Sequence, residues 1–117
     1  MICYESIYGD LNTGKSFDVM CIITNDGWWK NTAGYKQHFS YAKLRAIEQR
    51  RSIIRSANTG ISGFINSSGE FEELAKWDEK KVIKSQVAIS NTVTFYNQFG
   101  DYLGRVSSFI SSIFILM

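Results

Sequence analysis

The stretch FDVMCIIT, Phe17 to Thr24, decides the fold. It is an apolar, β-branched run of strand length, as expected of a strand covered on both faces. It ends in NDGWWKNTAG (25–34), a polar, glycine-containing loop that sets Trp28 beside Trp29. Beyond the loop the residues favour a helix from Tyr35 to about Arg51, with Tyr35, Phe39, Ala42 and Ala46 on one stripe at helical spacing. Leu44 lies off that stripe and suggests a second packed surface. Arg45, Glu48 and Arg51 recur every three residues, where ion pairs contribute about 0.2 to 0.5 kcal/mol each.

Working outward, SIIRSAN (52–58) and ISGFINS (61–67) are β-rich pieces separated by Thr59 and Gly60 and closed by the turn signal SSGE. Ile61, Gly63 and Ile65 alternate with Ser62, Phe64 and Asn66, so this strand has two distinct faces. An irregular acidic stretch follows, and KVIKSQVAI (81–89) then places Ile83, Val87 and Ile89 on one side of a further strand. At the other end, MICYESIYGD opens with a short apolar run to Cys3 and continues into a segment that could start a helix. The expected order is β, short α, β, α, β, β, β and a tail, a mixed α/β layered fold. There is no repeat, no low-complexity segment and no proline.

With 117 residues, 44% hydrophobic and 21% charged, the chain has the length and composition of one globular domain. A net charge of +2 from thirteen basic and eleven acidic residues gives no electrostatic address, so nucleic acid is not an expected partner; the one local excess, RRSIIR, is short. Cys3 and Cys21 read as free thiols, and Cys21, inside an apolar run, reads as a packing residue. With one histidine, His38, and no CxxC pair, a structural metal site lacks donors, and no cofactor is suggested. His38 reads as a hydrogen-bonded structural residue rather than the base of a Cys–His pair. Asn25 and Asp26 read as residues that cap and shape their loop. No basic segment precedes an apolar one at the start, so no secretory signal is expected. The tail VSSFISSIFILM (106–117) is uncharged, yet twelve residues rise only about 18 Å as a helix against a hydrocarbon core of about 30 Å.

Several stretches together resemble one family. ICYES, the run from ITNDGWWKNTAGYKQHF through RAIEQRRSIIRSANTGISGFINSSGE, and TFYNQFGDYLGRV are similar, in the same order, to the C-terminal part of bacterial apolipoprotein N-acyltransferases, members of the nitrilase (carbon-nitrogen hydrolase) superfamily. The resemblance covers nearly the whole chain. Ala33 departs from it, standing where many relatives carry proline. The fold implied is part of a nitrilase-like α-β-β-α sandwich over residues 1–100, with residues 101–117 as the start of a truncated transmembrane segment.

The resemblance makes Cys3 the catalytic nucleophile, the Tyr4 backbone N–H an oxyanion donor, and Glu5 a supporting residue. It implies transfer of an acyl chain from a phospholipid, through a cysteine thioester, to the N-terminal amine of a lipid-modified apolipoprotein cysteine, at the bacterial inner membrane with the catalytic domain facing the periplasm. A glutamate base and a lysine lie upstream of the cysteine in the family, whereas only Met1 and Ile2 precede Cys3 here, so the 117 residues alone are expected to be inactive. Trp28 and Trp29 read equally as loop anchors or as contacts to substrate acyl chains. Two other readings stay open: a soluble nitrilase-type amidase, which the apolar tail opposes, and a non-catalytic remnant with unpaired sheet edges.

Overall fold

A computed structural model describes residues 1–116. Four strands, β1 (Val19–Thr24), β2 (Ser52–Ala57), β3 (Ser62–Ile65) and β4 (Phe71–Ala75), form one sheet in the order β1-β2-β3-β4. β1 and β2 are parallel, and helix α1 (Ala33–Gln49) is the crossover between them; the remaining pairs are antiparallel. Thr32 caps α1 by accepting from the Gly34 N–H, and Arg50 closes it in the left-handed conformation.

The expected helical stripe is the buried one. Tyr35, Phe39, Ala42 and Ala46 face the sheet, where Phe39 and the two alanines join Met20, Ile22, Ile53 and Ile65 in the core. Small alanines let the helix lie close to the strands. Leu44 finds no second packed surface and is exposed. Of the three charges spaced along the helix, Arg45 and Glu48 pair at 2.9 Å, while Arg51 lies past the helix end and donates instead to the Phe17 and Thr92 carbonyls.

α1 covers one face of the sheet, whereas the other stays open along β1. Along β1, Met20, Ile22 and Thr24 are buried, while Cys21 and Ile23 are exposed, so neither the two-sided burial of this strand nor a packing role for Cys21 holds. The apolar residues on the open face made the stretch read as a doubly covered strand. The opening run pairs with β1 through a single parallel bridge, Ile2 to Ile23, and residues Cys3–Ile7 then turn as a 3-10 helix.

The acidic stretch FEELA is β4 rather than irregular, because β3 offers it a free antiparallel edge. KVIKSQVAI is not a strand: residues 81–89 have no regular structure, though Ile83 and Val87 are half-buried on the expected side. This segment is held by side chains rather than a ladder, with Ser85 donating to Glu72 and Ser52 to the Ala88 carbonyl.

The chain then makes α2 (Phe95–Phe99) and α3 (Tyr102–Leu116). α2 docks on the end of α1, where Thr94 donates to the Glu48 carbonyl and Asn97 to the Gln49 side chain. α3 carries an exposed apolar surface from Leu103 to Leu116. At 15 residues it rises about 22 Å, and no helix among the described residues is long and apolar enough to cross a membrane. Met117, the last residue of the expected segment, lies outside the described residues.

The junction between α1 and α2 has a pH signature. Burial raises the Glu48 carboxyl above its ordinary value of 4.5, against the pull of Arg45 and with a further push from Asp10. The folded state therefore holds this proton more tightly than the unfolded chain, and the group's contribution to stability falls as pH rises from about 4.5 through the raised value. Glu48→Gln should abolish that slope, so that urea unfolding shows the variant gaining on the parent between about pH 4 and pH 7. An equal difference at both pH values would contradict the burial of the charge.

Candidate functional site

The parallel pair β1 and β2 points its carboxyl ends at one edge of the sheet, where open α/β sheets bind ligands. Three segments meet there: the Cys3 turn, the loop after β1 and the loop after β2. Cys3 has φ +50°, a left-handed conformation that is uncommon for a residue with a side chain, and its thiol is half-buried. Glu5 stabilises this turn directly, its carboxylate accepting from the Ile2 N–H at 2.7 Å. Tyr4 follows at the start of the 3-10 turn, where backbone N–H groups have no partner within the helix.

Beneath the turn lies a buried charged cluster. The loop after β1 drops Asp26 into the interior, and β2 contributes Arg55 from the covered face of the sheet. Their side chains, both fully buried, pair at 2.9 Å, with Arg55 also donating to the Ile61 carbonyl at 3.1 Å and lying over the Phe39 ring. Thr24 donates to the same carboxylate at 2.9 Å. Burial pulls the Arg55 guanidinium below its ordinary value, offset in part by Asp26 and then by Cys3; an arginine stays charged through such a shift.

His38, from α1, completes the cluster. Its Nδ1 lies 2.8 Å from Asp26 Oδ1 and 3.1 Å from the Arg55 guanidinium. Its Nε2 lies 3.0 Å from Ser6 Oγ and 3.3 Å from the Cys3 carbonyl oxygen, to which Ser6 Oγ is also 3.0 Å away. Asp26, His38 and Ser6 thus have the connectivity of a Ser–His–Asp triad. Ser6 is fully buried, however, so no substrate reaches its hydroxyl. The expectation of a hydrogen-bonded structural histidine holds.

The two tryptophans part company. Trp28 is 82% exposed, whereas Trp29 packs 5.2 Å from the His38 ring and 5.7 Å from Tyr4. Trp29 also lies so close to Gly34 that a β-carbon there would fall 2.3 Å from the indole. Tyr4 stacks on His38 at 5.5 Å, so the three rings form one cluster with each touching the other two. Tyr4, Trp29, His38 and Tyr41 line an open cavity of about 310 Å³ beside the Cys3 turn. Among the described residues, no group of three or more His, Cys, Asp or Glu side chains converges as a metal ion requires.

Asn25 shapes its loop as expected, accepting from the Gly27 N–H. Asp26 does much more than shape a loop, and Arg55 was not singled out at all, although an arginine inside the apolar run SIIRSA has to find a buried partner.

Comparison with known proteins finds several relatives of one name. A Chlorobaculum tepidum protein named apolipoprotein N-acyltransferase is 32% identical over 120 residues, taking in all of this chain and 22% of the relative. A Rickettsia prowazekii protein of the same name is 32% identical over all of this chain and 23% of its own length. One from Rhizobium meliloti is 41% identical over 71% of this chain and 16% of the relative. The chain belongs to the apolipoprotein N-acyltransferase family. It spans about a fifth of the length of the curated relatives it matches. No protein-family model matches the sequence.

Gly60, in the loop after β2, offers a sharp test of the cluster. It has φ +136°, and a β-carbon on it would lie 2.5 Å from Asp26 Oδ2. Gly60→Ala should therefore cost about 1 to 3 kcal/mol from strain alone, plus the displacement of a buried carboxylate. Gly14→Ala, at φ +72° with nothing within 4 Å, carries strain alone and should cost clearly less in urea denaturation. Equal losses at the two positions would mean that Gly60 does not seat Asp26.

Proposed function

We propose that this chain is the nucleophile-bearing part of an apolipoprotein N-acyltransferase, with Cys3 forming a thioester to an acyl chain taken from a phospholipid. The observation that carries the reading is the Cys3 turn: a partly buried cysteine at φ +50°, at the carboxyl end of a parallel strand pair and next in sequence to Tyr4, which lines an open aromatic cavity.

The Cys3 sulfur attacks the ester carbonyl carbon, and the Tyr4 N–H donates to the oxyanion that forms. The carbon–oxygen bond breaks, and the lysophospholipid leaves with the thiol's proton. The neutral α-amine of a lipid-modified apolipoprotein cysteine then attacks the thioester carbonyl carbon, the carbon–sulfur bond breaks as the amide forms, and the proton lost by the amine ends on the sulfur to return the thiol. Glu5 supports by holding the turn. The glutamate base and the lysine that the family uses are not assigned to any residue of this chain. Exposed Trp28 suits contact with acyl chains, while Trp29 serves as the anchor of the cavity wall.

Two surfaces support the rest. The open face of the sheet exposes Cys21 and Ile23, as the inner face of one sheet in an α-β-β-α sandwich would in the absence of its partner. α3 exposes Val106, Phe109, Ile110, Ile113 and Phe114, and on its Gly- and Ser-rich side the Ser108 and Ser112 hydroxyls are turned back onto the Gly104 and Ser108 carbonyls, the arrangement hydroxyls adopt on a membrane-facing helix. Residues 1–100 are then the catalytic portion and residues 101–117 a membrane-facing segment, at the inner membrane with the active site toward the periplasm. The same apolar helix disfavours a soluble amidase.

The test places these 117 residues in a full-length relative, in place of its matching segment, and supplies vesicles of labelled phospholipid with a diacylated lipopeptide acceptor. The expected outcome is labelled acyl on Cys3 before acceptor is added, its transfer afterwards, and a loss of turnover by about 1,000-fold or more in Cys3→Ala. Label on another residue, or turnover that survives Cys3→Ala, would sink the reading.

A further inference from the structure

The hydrogen bonds under Cys3 end on its backbone, not on its thiol. We infer that His38 and Ser6 are positioning residues: the buried Asp26–Arg55 pair fixes the imidazole, the imidazole braces Ser6, and the Ser6 hydroxyl donates to the Cys3 carbonyl so that the thiol and the Tyr4 N–H share one target. This inference rests on Cys3 being the acyl-accepting thiol, and it adds two residues that touch neither substrate nor sulfur.

The geometry leaves the carbonyl little freedom. Ser6 Oγ at 3.0 Å and His38 Nε2 at 3.3 Å both converge on the Cys3 oxygen, and they contact each other at 3.0 Å. The imidazole is held by Asp26 at 2.8 Å and packs against Tyr4 and Trp29 at 5.5 and 5.2 Å, with the whole side chain 1% exposed. Asp26 in turn is held by Arg55 and Thr24. Rotating the Cys3 carbonyl turns the same peptide plane that carries the Tyr4 N–H, because the two groups belong to one peptide unit. Anchoring this oxygen therefore aims that N–H. Without the anchor, a residue at φ +50° has lower-energy conformations to relax into, and each of them redirects both the thiol and the donor.

The experiment compares two reactions of one thiol in the full 117-residue chain. Acylation by p-nitrophenyl acetate passes through an oxyanion: a sulfur–carbon bond forms, p-nitrophenolate leaves, and the thiol proton goes to buffer. Alkylation by iodoacetamide displaces iodide and forms no oxyanion. The ratio of the two rates, read at Cys3 by peptide mass spectrometry with exposed Cys21 as internal reference, reports the alignment of donor and thiol rather than access or folding.

In the parent chain the ratio should be higher at Cys3 than at Cys21. Ser6→Ala and His38→Leu should each lower it at Cys3 by about tenfold, leaving Cys21 unchanged. His38→Gln, whose amide reaches the place of Nε2 and can brace Ser6, should keep most of it. Circular dichroism confirms the fold of each variant, and if His38→Leu does not fold, Ser6→Ala against His38→Gln carries the comparison. A parent ratio no higher at Cys3 than at Cys21, or a ratio within about twofold of the parent in folded Ser6→Ala, overturns the inference, as does an equal loss in His38→Gln and His38→Leu. None of these readouts uses a phospholipid, so a chain that fails to take a phospholipid acyl group while keeping its ratio at Cys3 would refute the proposed function and not this one.

Discussion

The ion pair between Asp26 and Arg55 is the constraint on which the rest of the site depends. Two opposite charges 2.9 Å apart attract by roughly 6 kcal/mol at an effective dielectric of about 20, and moving both out of water costs a comparable amount. The pair is therefore a weak source of net stability and a strong source of geometry. Its members come from the loop after β1 and from β2, so satisfying it fixes how the ends of the two parallel strands meet. His38 is added from the crossover helix, and one cluster thereby ties three elements to the turn that carries Cys3.

Around this fixed centre, two apolar surfaces stay open: the β1 side of the second sheet face and one side of α3. Exposed apolar area of that extent marks a surface that meets another body. The two differ in kind. The sheet face is flat and strand-like, suited to a second sheet, whereas α3 is a rod with its hydroxyls turned inward onto its own carbonyls. The open sheet face and α3 lie on the same chain as the Cys3 turn, and Asp10 near that turn accepts from the Asp101 N–H at the foot of α3.

Much of this was legible in the residues. The stripe of Tyr35, Phe39, Ala42 and Ala46 gave α1 its buried face, because helical spacing records burial directly. The β-rich pieces on either side of Thr59 and Gly60 are β2 and β3. The failures share a physical cause. Apolar content shows what a side chain tolerates, not whether a neighbour is present, so β1 read as covered on both faces and Cys21 as packed. Alternation in KVIKSQVAI records a half-buried extended chain, which needs no ladder partner. FEELA was missed because its charges suit an exposed edge strand, where pairing on one side suffices. Within the site, the motif residues were identified by resemblance, while the Asp26–Arg55–His38 cluster joins residues 12 to 29 positions apart that nothing local connects.

The most direct measurement is a double-mutant cycle on that ion pair: Asp26→Asn, Arg55→Met and the double variant, each unfolded in urea. Each single change should cost about 3 to 5 kcal/mol, since it leaves a buried charge without its partner. The double should cost less than the sum by about 2 kcal/mol or more. Additive losses would contradict the account, because they would mean that the two charges are buried independently and that nothing fixes His38 beneath Cys3.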